Sequence, residues 1–309
     1  MRRFSLAVID EASQILEPHL TGILCARHGE TDAIGRFVMI GDHKQLPAVV
    51  QQEASESAVS DPLLHEIGLM DCRESLFQRL LRLHATWFPD GDSPFVHRFS
   101  RQGRMHPQVA DFASSHFYGG KLRPVPLEHQ KAPFCLQEPA DSDPLMHRLA
   151  HQRVVFLPAE RPLHTESPKV NEVEADMIAR AALATYRLRT ANGLPFSSLE
   201  TLGIIVPYRH QIAVVRKKIA HYGLPLLDDI TVDTVERFQG SQRDVIIYGF
   251  TIQMPHQLDF LCAQTFEENG VLIDRRLNVA LTRAREQMIL VGNPELLSLN
   301  PILRDITRL

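Results

Sequence analysis

Residues 239–250 read Gln-Gly-Ser-Gln-Arg-Asp-Val-Ile-Ile-Tyr-Gly-Phe, a polar loop followed at once by an apolar run. Similar apolar runs without alternation occur at residues 6–9, 37–40, 154–157, 202–206 and 288–291. Strands of this kind are covered on both faces, which is typical of a parallel sheet. Apolar residues also recur at helical spacing over residues 173–188 and 212–222. This alternation of strands and helices predicts an α/β fold.

Length, composition and net charge limit the classes of protein to which the chain can belong. The chain has 309 residues, of which 44% are hydrophobic and 23% charged, and this size fits two compact domains. The turn-forming residues 90–94 predict a linker, which gives domains at 1–90 and 91–309. The Pro-rich segment 124–144 is predicted to be a surface excursion of the second domain. A formal net charge of −4 excludes a globally basic protein, so any nucleic acid must bind in a local groove.

Cysteine and histidine patterns predict no metal site. The four cysteines form no C-x-x-C pair, which indicates a reducing, cytoplasmic environment rather than a disulfide framework. The fifteen histidines form no H-E-x-x-H motif, and we assign them no catalytic task. The amino terminus lacks the apolar core of a signal peptide, and no run approaches the length that spans a bilayer. We therefore expect a chain that is neither secreted nor membrane-spanning.

An acidic pair, Asp10-Glu11, directly follows the apolar run of residues 6–9. Ligands of parallel α/β sheets bind beyond the carboxyl ends of the strands. An aspartate there is suited to hold Mg²⁺, and an adjacent glutamate can polarise an attacking water. The alternative is a surface pair at the start of a helix, where acidic residues are favoured.

A second polar loop, residues 41–47, directly follows the apolar run of residues 37–40. Gly41 allows a close backbone approach, and the amide of Gln45 can bond a phosphate oxygen or a water. Two consecutive strand-end loops indicate one shared site. The alternative is a simple turn, because Gly, Asp and Pro are common turn residues.

These motifs resemble those of a known family. Residues 10–13, Asp-Glu-Ala-Ser, and 41–47, Gly-Asp-His-Lys-Gln-Leu-Pro, resemble motifs II and III of superfamily 1 helicases. The branch is the one that contains the nonsense-mediated-decay helicase. Residues 102–107 are similar to motif IV, although Gly103 stands where the family has an aromatic residue. Residues 235–244 and 278–285 are similar to motifs V and VI, so the resemblance covers nearly the whole chain.

The resemblance implies two P-loop NTPase (RecA-like) motor domains, the first of them partial, that use ATP and Mg²⁺ to move 5′-to-3′ along single-stranded DNA or RNA. It implies that Asp10 holds the metal and that Glu11, Gln45, Arg104 and Arg283 are catalytic, the two arginines neutralising charge on the phosphates. The implied nucleotide contacts are Asp42, Glu236, Gly240 and Gln242. Gln242 replaces the acidic residue that reaches the ribose in relatives. The implied nucleic-acid contacts are Thr234 and Tyr208. For Arg285, a structural ion pair is the preferred interpretation.

One part of such a motor is missing. The sequence contains no Gly-rich loop ending in Gly-Lys-Ser/Thr, which cradles the phosphates of the nucleotide. In one hypothesis the chain is part of an ATP-dependent helicase whose loop lies in an upstream segment, in a separate chain, or beyond a broken reading frame. In the other it is a non-catalytic module that binds nucleic acid or protein. The first predicts weak or absent ATP hydrolysis by this chain, exposed apolar surface, and an open sheet edge at residues 6–9 and 37–40.

Overall fold

The computed structural model describes residues 3–91, 93–162 and 167–309. The chain forms two compact units, Met1–Phe99 and Ser100–Leu309. The linker predicted at 90–94 includes Asp92, which lies outside the described residues, as do Met1 and Arg2 at the amino terminus. The boundary between residues 90 and 91 stays a prediction.

The first unit is built from short elements. Its strands are β1 (Ala7–Ile9), β2 (Arg27–His28), β3 (Thr31–Asp32) and β4 (Phe37–Met39). Its α-helices are α1 (Glu17–Leu24), α2 (Ala54–Ser57), α3 (Pro62–Glu66) and α4 (Leu76–Trp87), and a 3-10 helix covers Ala12–Gln14. The longest, α4, begins where the Ser75 hydroxyl accepts the Gln78 backbone N–H, a standard helix cap.

Strands β1 and β4 pair in parallel, with Ala7 opposite Phe37 and Ile9 opposite Met39. Both were predicted to be covered on both faces, and this prediction is wrong. Val8 is 58% exposed and Val38 is 44% exposed, and the residues on the other face of these strands are only half-buried, because among the described residues the strands form a two-stranded sheet. The exposed apolar surface expected of this unit is therefore present.

The second unit holds a larger sheet. Its strands are β5 (Arg101–Gln102), β6 (Arg123–Pro124), β7 (Val154–Pro158), β8 (Leu202–Ile205), β9 (Thr231–Asp233), β10 (Arg243–Gly249), β11 (Thr265–Glu268), β12 (Val271–Asp274) and β13 (Ala284–Gly292). Its helices are α5 (Pro107–Phe117), α6 (Glu128–Lys131), α7 (Pro144–His151), α8 (Glu172–Ala191), α9 (Arg209–Ala220), α10 (Pro225–Asp228), α11 (Val235–Phe238), α12 (Gln257–Leu261), α13 (Arg275–Leu281), α14 (Pro294–Leu297) and α15 (Pro301–Ile306).

The central sheet has the strand order β7-β13-β10-β8-β9, and every neighbouring pair is parallel. Val245 and Ile247 of β10 pack into the core formed with α7, α8 and α9. Ile246 and Tyr248 point to the opposite face and are buried too, because side chains alternate along a strand. The α/β fold with a parallel sheet is therefore confirmed, and here burial on both faces is confirmed as well.

Helices α8 and α9 cover this sheet in the way their sequences predict. The Asn171 side chain caps α8 by accepting the Glu174 backbone N–H at 2.9 Å. Ala181, Ala184 and Leu188 of its predicted stripe are buried. By contrast, the predicted surface excursion at 124–144 is partly wrong. It contains α6, in which the Gln130 side chain is buried because its amide bonds backbone carbonyls elsewhere in the unit.

Within the described ranges, no helix combines the length and the apolar character needed to cross a membrane.

Candidate functional site

In the first unit, the acidic pair lies at the carboxyl end of β1. Glu11 has a left-handed backbone with φ of 51°, which is uncommon for a residue other than glycine. Its backbone N–H donates to Asp10 Oδ1 at 2.9 Å, and its own Oε2 accepts the Gln14 side-chain amide at 2.6 Å. Strain of this kind is concentrated at functional sites. Both carboxylates therefore lie at the strand end with defined partners.

The loop after β4 meets the same strand end. The Ala12 backbone N–H donates to the Ile40 carbonyl at 2.8 Å, and the Asp42 N–H donates to Ser13 Oγ at 3.2 Å. A Cβ atom added to Gly41 would lie 2.9 Å from the Ser13 backbone nitrogen. The two strand-end loops thus form one site, and Gly41 is required for their close approach.

Asp42 organises the rest of this loop. Its Oδ1 accepts the Lys44 backbone N–H at 3.0 Å, and its Oδ2 accepts the Gln45 side-chain amide at 3.0 Å. The carboxylates of Asp10 and Asp42 and the Ser13 hydroxyl are the hard oxygen donors that Mg²⁺ prefers. The donor types at this strand end therefore fit the Mg²⁺ that the resemblance implies.

We expect Gly41→Ala to lower the free energy of unfolding by about 1–3 kcal/mol, because the new methyl group overlaps the Ser13 backbone. Urea unfolding measures this change. The matched control is Gly22→Ala in α1, where nothing lies within 4 Å of the added Cβ. There alanine should stabilise the helix by about 0.5–1 kcal/mol. Equal stability of the Gly41 variant and the wild type would contradict the close approach described above.

In the second unit, residues far apart in the chain converge on Arg104. Its Nε donates to Gln242 Oε1 at 3.1 Å, and its Nη1 donates to the Thr282 carbonyl at 3.1 Å. These contacts span 138 and 178 residues of sequence. They bring together segments that resemble motifs IV, V and VI.

Arg283 belongs to the same cluster, but only 2% of it is exposed. Its Nε donates to the Val279 carbonyl at 3.0 Å and its Nη2 to Thr282 Oγ1 at 3.1 Å. Its Nη1 lies 3.5 Å from the Ser241 carbonyl. The guanidinium is thus held against the loop that contains Gly240, whose φ is 75°. Arg285, in contrast, pairs with Asp244 at 3.0 Å, the structural ion pair that was the preferred interpretation.

This arginine cluster lies at the amino edge of the sheet, because Gln242 and Arg283 immediately precede β10 and β13. The loop of Arg104 is held from behind by the buried Gln130, whose amide donates to the Gln102 and Met105 carbonyls at 2.9 Å each. Gln130 was not predicted to matter, because a polar residue in a Pro-rich segment resembles ordinary surface.

A cleft of about 800 Å³ lies at the opposite, carboxyl edge of the sheet. It is lined by Ile205, Val206, Pro207, Arg209, Ile212, Asp233, Thr234, Val235, Glu236, Arg237, Tyr248, Phe260 and Arg276. Thr234 and Glu236 were both predicted as site residues, one for nucleic acid and one for nucleotide. Glu236 lines this cleft together with Thr234. Gln242, the other side chain of the second unit that was predicted to contact the nucleotide, lies beside Arg104 at the amino edge of the sheet.

Two aromatic rings stand at the cleft. The rings of Tyr208 and Phe260 stack with centroids 5.1 Å apart, and Arg276 lies over Phe260 at 4.9 Å. The Tyr208 hydroxyl accepts the Gln257 side-chain amide at 3.4 Å, and burial raises the pKa of this tyrosine. Phe260 and the arginines of the cleft were not predicted. For Arg209, its position at the start of α9, just beyond the carboxyl end of β8, could have indicated the site.

The five-stranded parallel sheet covered by helices places the chain in the α/β class. The comparisons agree: a family model described as an AAA domain matches residues 72–295, and a second model with this description matches residues 1–53. The chain belongs to this AAA domain family, among the superfamily 1 helicases.

The curated relatives are much longer than the chain. It is 29% identical to the Regulator of nonsense transcripts 1 homolog of Arabidopsis thaliana, over 97% of this chain and 20% of that protein. It is 30% identical to the DNA polymerase alpha-associated DNA helicase A of Saccharomyces cerevisiae, over 95% of this chain and 39% of that protein. The arterivirus nonstructural protein 10 helicase is 15% identical, over 98% of this chain and 41% of that one, with a TM-score of 0.38.

Proposed function

We propose that this chain is part of an ATP-dependent helicase or translocase motor that acts on single-stranded DNA or RNA. The observation that carries the proposal is the arginine cluster, in which Arg104, Gln242 and Arg283 converge from three distant segments. Guanidinium groups neutralise the charge that develops on phosphoryl oxygens during hydrolysis, which would be the role of Arg104. Arg283 is only 2% exposed and its guanidinium bonds protein oxygens, so it would act by positioning the loop of Gly240 and Gln242. Residues 1–90 would be the C-terminal part of a first RecA-like domain and residues 91–309 the second RecA-like domain, and the location would be cytoplasmic.

The first unit would bind the metal ion and activate the attacking water. Asp10 would hold Mg²⁺, and Glu11 would accept a proton from the attacking water, with Gln45 orienting that water. Asp42 would act on the nucleotide through Gln45, because its Oδ2 accepts the Gln45 side-chain amide at 3.0 Å. In the second unit, Gly240 and Gln242 would contact the nucleotide beside Arg104.

The cleft at the carboxyl edge would bind the nucleic-acid strand. It offers Arg209, Arg237 and Arg276 for phosphates and the Thr234 hydroxyl for a phosphate or sugar. Tyr208 and Arg276 both lie against the Phe260 ring, so the edge of the stacked Tyr208–Phe260 pair would border the strand. Glu236 lies 3.2 Å from Arg276 and reduces its effective charge. We therefore assign Glu236 to positioning Arg276 here, rather than to nucleotide contact.

The proposal includes a phosphate loop supplied from outside these residues, in an upstream segment or a separate chain. The exposed Val8 and Val38 of the small sheet provide apolar surface and a strand edge for such a segment.

We expect the chain by itself to hydrolyse ATP weakly or not at all, because the phosphates lack their backbone cradle. Phosphate release with and without single-stranded nucleic acid measures this. Stimulated turnover that both Glu11→Gln and Arg283→Ala abolish would mean that the site is complete without the loop. A chain that binds nucleic acid, and that stays inactive when the loop is supplied, would favour the non-catalytic module.

Replacing both Arg209 and Arg237 with alanine is expected to weaken binding of a single-stranded oligonucleotide by about tenfold. The slope of log affinity against log salt should fall by about 0.7 for each lost phosphate contact. Fluorescence anisotropy at several salt concentrations measures both quantities. The matched control removes two charges, Arg216 and Lys217, from the far end of α9, outside the cleft lining. Equal losses in the two double variants would contradict binding in the cleft.

A further inference from the structure

Three side chains with metal-ligating atoms meet on the surface of the second unit. Glu138 Oε1 lies 2.8 Å from His147 Nδ1 and 3.1 Å from His151 Nε2. All three ligand atoms lie within 4.8 Å of one another. The prediction that the histidines form no paired ligand pattern overlooked this pair, which is spaced H-x-x-x-H.

The fold places these residues for a local reason. His147 and His151 are four residues apart on α7, so their side chains lie on one face of the helix. The Asp143 side chain caps α7 by accepting the Met146 backbone N–H at 2.8 Å, which fixes where the helix begins. Glu138 reaches this face from the preceding loop.

Neighbouring groups hold the ligands in place. The Ser142 hydroxyl donates to Glu138 Oε2, which leaves Oε1 directed at the two histidines. Cys135 Sγ lies 3.5 Å from His151 Nδ1, the ring nitrogen that does not face Glu138. Partners on the outer atoms of metal ligands orient them and increase their affinity. Two of the three ligands, Glu138 and His151, therefore have an outer partner.

We propose that Glu138, His147 and His151 form a binding site for a divalent transition-metal ion of the zinc class. Two imidazole nitrogens and one carboxylate oxygen are a ligand set that zinc uses when it keeps a fourth position for water. In a tetrahedral site with bonds of about 2.0–2.2 Å, ligand atoms are about 3.3 Å apart. The two separations from Glu138 Oε1, 2.8 and 3.1 Å, require an opening of only a few tenths of an ångström. The two histidine nitrogens lie within 4.8 Å of each other, and rotation of the imidazole rings would bring them to the same spacing.

The competing explanation is that the three side chains are held together by hydrogen bonds from the two imidazole rings to the Glu138 carboxylate, with no metal ion between them. The side chains of His147 and His151 are 65% and 39% exposed, so an ion can reach the site from solvent. When bound, the ion would fasten the loop that carries Cys135 and Glu138 to α7. The site shares no residue with the arginine cluster or the cleft, so it stands independently of the motor proposal.

Zinc titration of the metal-stripped 309-residue chain, in competition with a chromophoric chelator, tests the proposal. We expect one equivalent of Zn²⁺ to bind, and at least about tenfold weaker binding in each of His147→Gln, His151→Gln and Glu138→Gln. The matched control is Cys25→Ser with His28→Gln, which removes the C-x-x-H pair of the first unit and should leave affinity unchanged. Unchanged affinity in the His147→Gln, His151→Gln double variant would overturn the proposal, as would no saturable binding below about 100 μM.

Two further measurements separate metal binding from a purely structural effect. Zn²⁺ should raise the melting temperature of the wild type and leave that of the double variant unchanged, because a ligand of the native state stabilises it. Circular dichroism without metal checks that the variants fold. With Co²⁺ in place of Zn²⁺, a thiolate charge-transfer band that disappears in Cys135→Ser would overturn the assignment of three ligands.

Discussion

Glu11→Gln is expected to lower nucleic-acid-stimulated ATP hydrolysis by about 10²–10⁴-fold, measured in a sample supplied with the phosphate loop. An amide cannot accept the proton of the attacking water, and a general base of this kind contributes a factor of that size. The substitution is nearly isosteric, and the new carbonyl oxygen can still accept the Gln14 amide that Glu11 Oε2 accepts at 2.6 Å. The fold of the strand end should therefore survive.

The control for this prediction is Glu30→Gln, an exposed acidic residue of the same unit that lies away from the strand-end loops. Its turnover should match that of the wild type. Oligonucleotide affinity should be unchanged in both variants, because neither residue lies in the cleft. Turnover of the Glu11 variant within a few-fold of the wild type would remove Glu11 from the catalytic role.

Glu174→Ala is expected to lower the free energy of unfolding by about 3–5 kcal/mol. The Glu174 carboxyl group is completely buried and accepts the Thr251 backbone N–H at 2.8 and 2.9 Å and the Thr251 hydroxyl at 2.8 Å. Thr251 has a left-handed backbone with φ of 50°, which a β-branched residue rarely adopts. Truncation leaves a cavity and two buried donors without their acceptor. Chemical denaturation measures the loss.

The same carboxyl group makes stability depend on pH. Burial raises the pKa of Glu174 to about 8, although its hydrogen bonds from Thr251 act in the opposite direction. The folded state therefore keeps a proton that the unfolded chain releases near the ordinary glutamate pKa of 4.5. The contribution of Glu174 to stability is therefore expected to be greatest below that value and to fall as pH rises toward about 8, by at most about 1.4 kcal/mol per pH unit.

Two variants test this pH dependence. Glu174→Gln keeps the shape of the side chain, and it should remove the loss of stability between pH 4.5 and about 8. Glu172→Ala, two residues earlier in α8, removes a carboxylate that is 57% exposed and paired with Lys218. This substitution should lower the free energy of unfolding by less than about 1 kcal/mol, and the loss of stability with rising pH should remain. A pH profile of the Gln variant that matches the wild type would assign the titration to another group.

Glu174 also connects the core to the cleft. Thr251 begins the loop that leads to Gln257, and the Gln257 amide donates to the Tyr208 hydroxyl at 3.4 Å. Gly249 is needed at the end of β10, because a Cβ atom there would lie 2.8 Å from Glu174 Oε1. Loss of Glu174 should therefore reduce oligonucleotide affinity as well as stability, through the position of Tyr208.

Much of the candidate site followed from local patterns. Asp10 and Asp42 each follow an apolar run that forms a parallel strand, and the two loops meet because the carboxyl ends of such strands share one edge. Thr234 likewise follows β9 and lies in the cleft. The prediction that both faces of β1 and β4 are buried was wrong. An apolar run shows that a strand can be buried, but the layers packed against it decide whether it is buried.

The sequence by itself determined the strands, the long helices and the strand-end carboxylates, because side-chain periodicity and backbone sterics act over a few residues. Only the tertiary structure decided that Arg104 contacts Gln242, that Glu236 shares a cleft with Thr234, and that Glu138 meets two histidines. Contacts between distant segments depend on the order of strands and on how helices pack across them. No local spacing in the chain encodes that order.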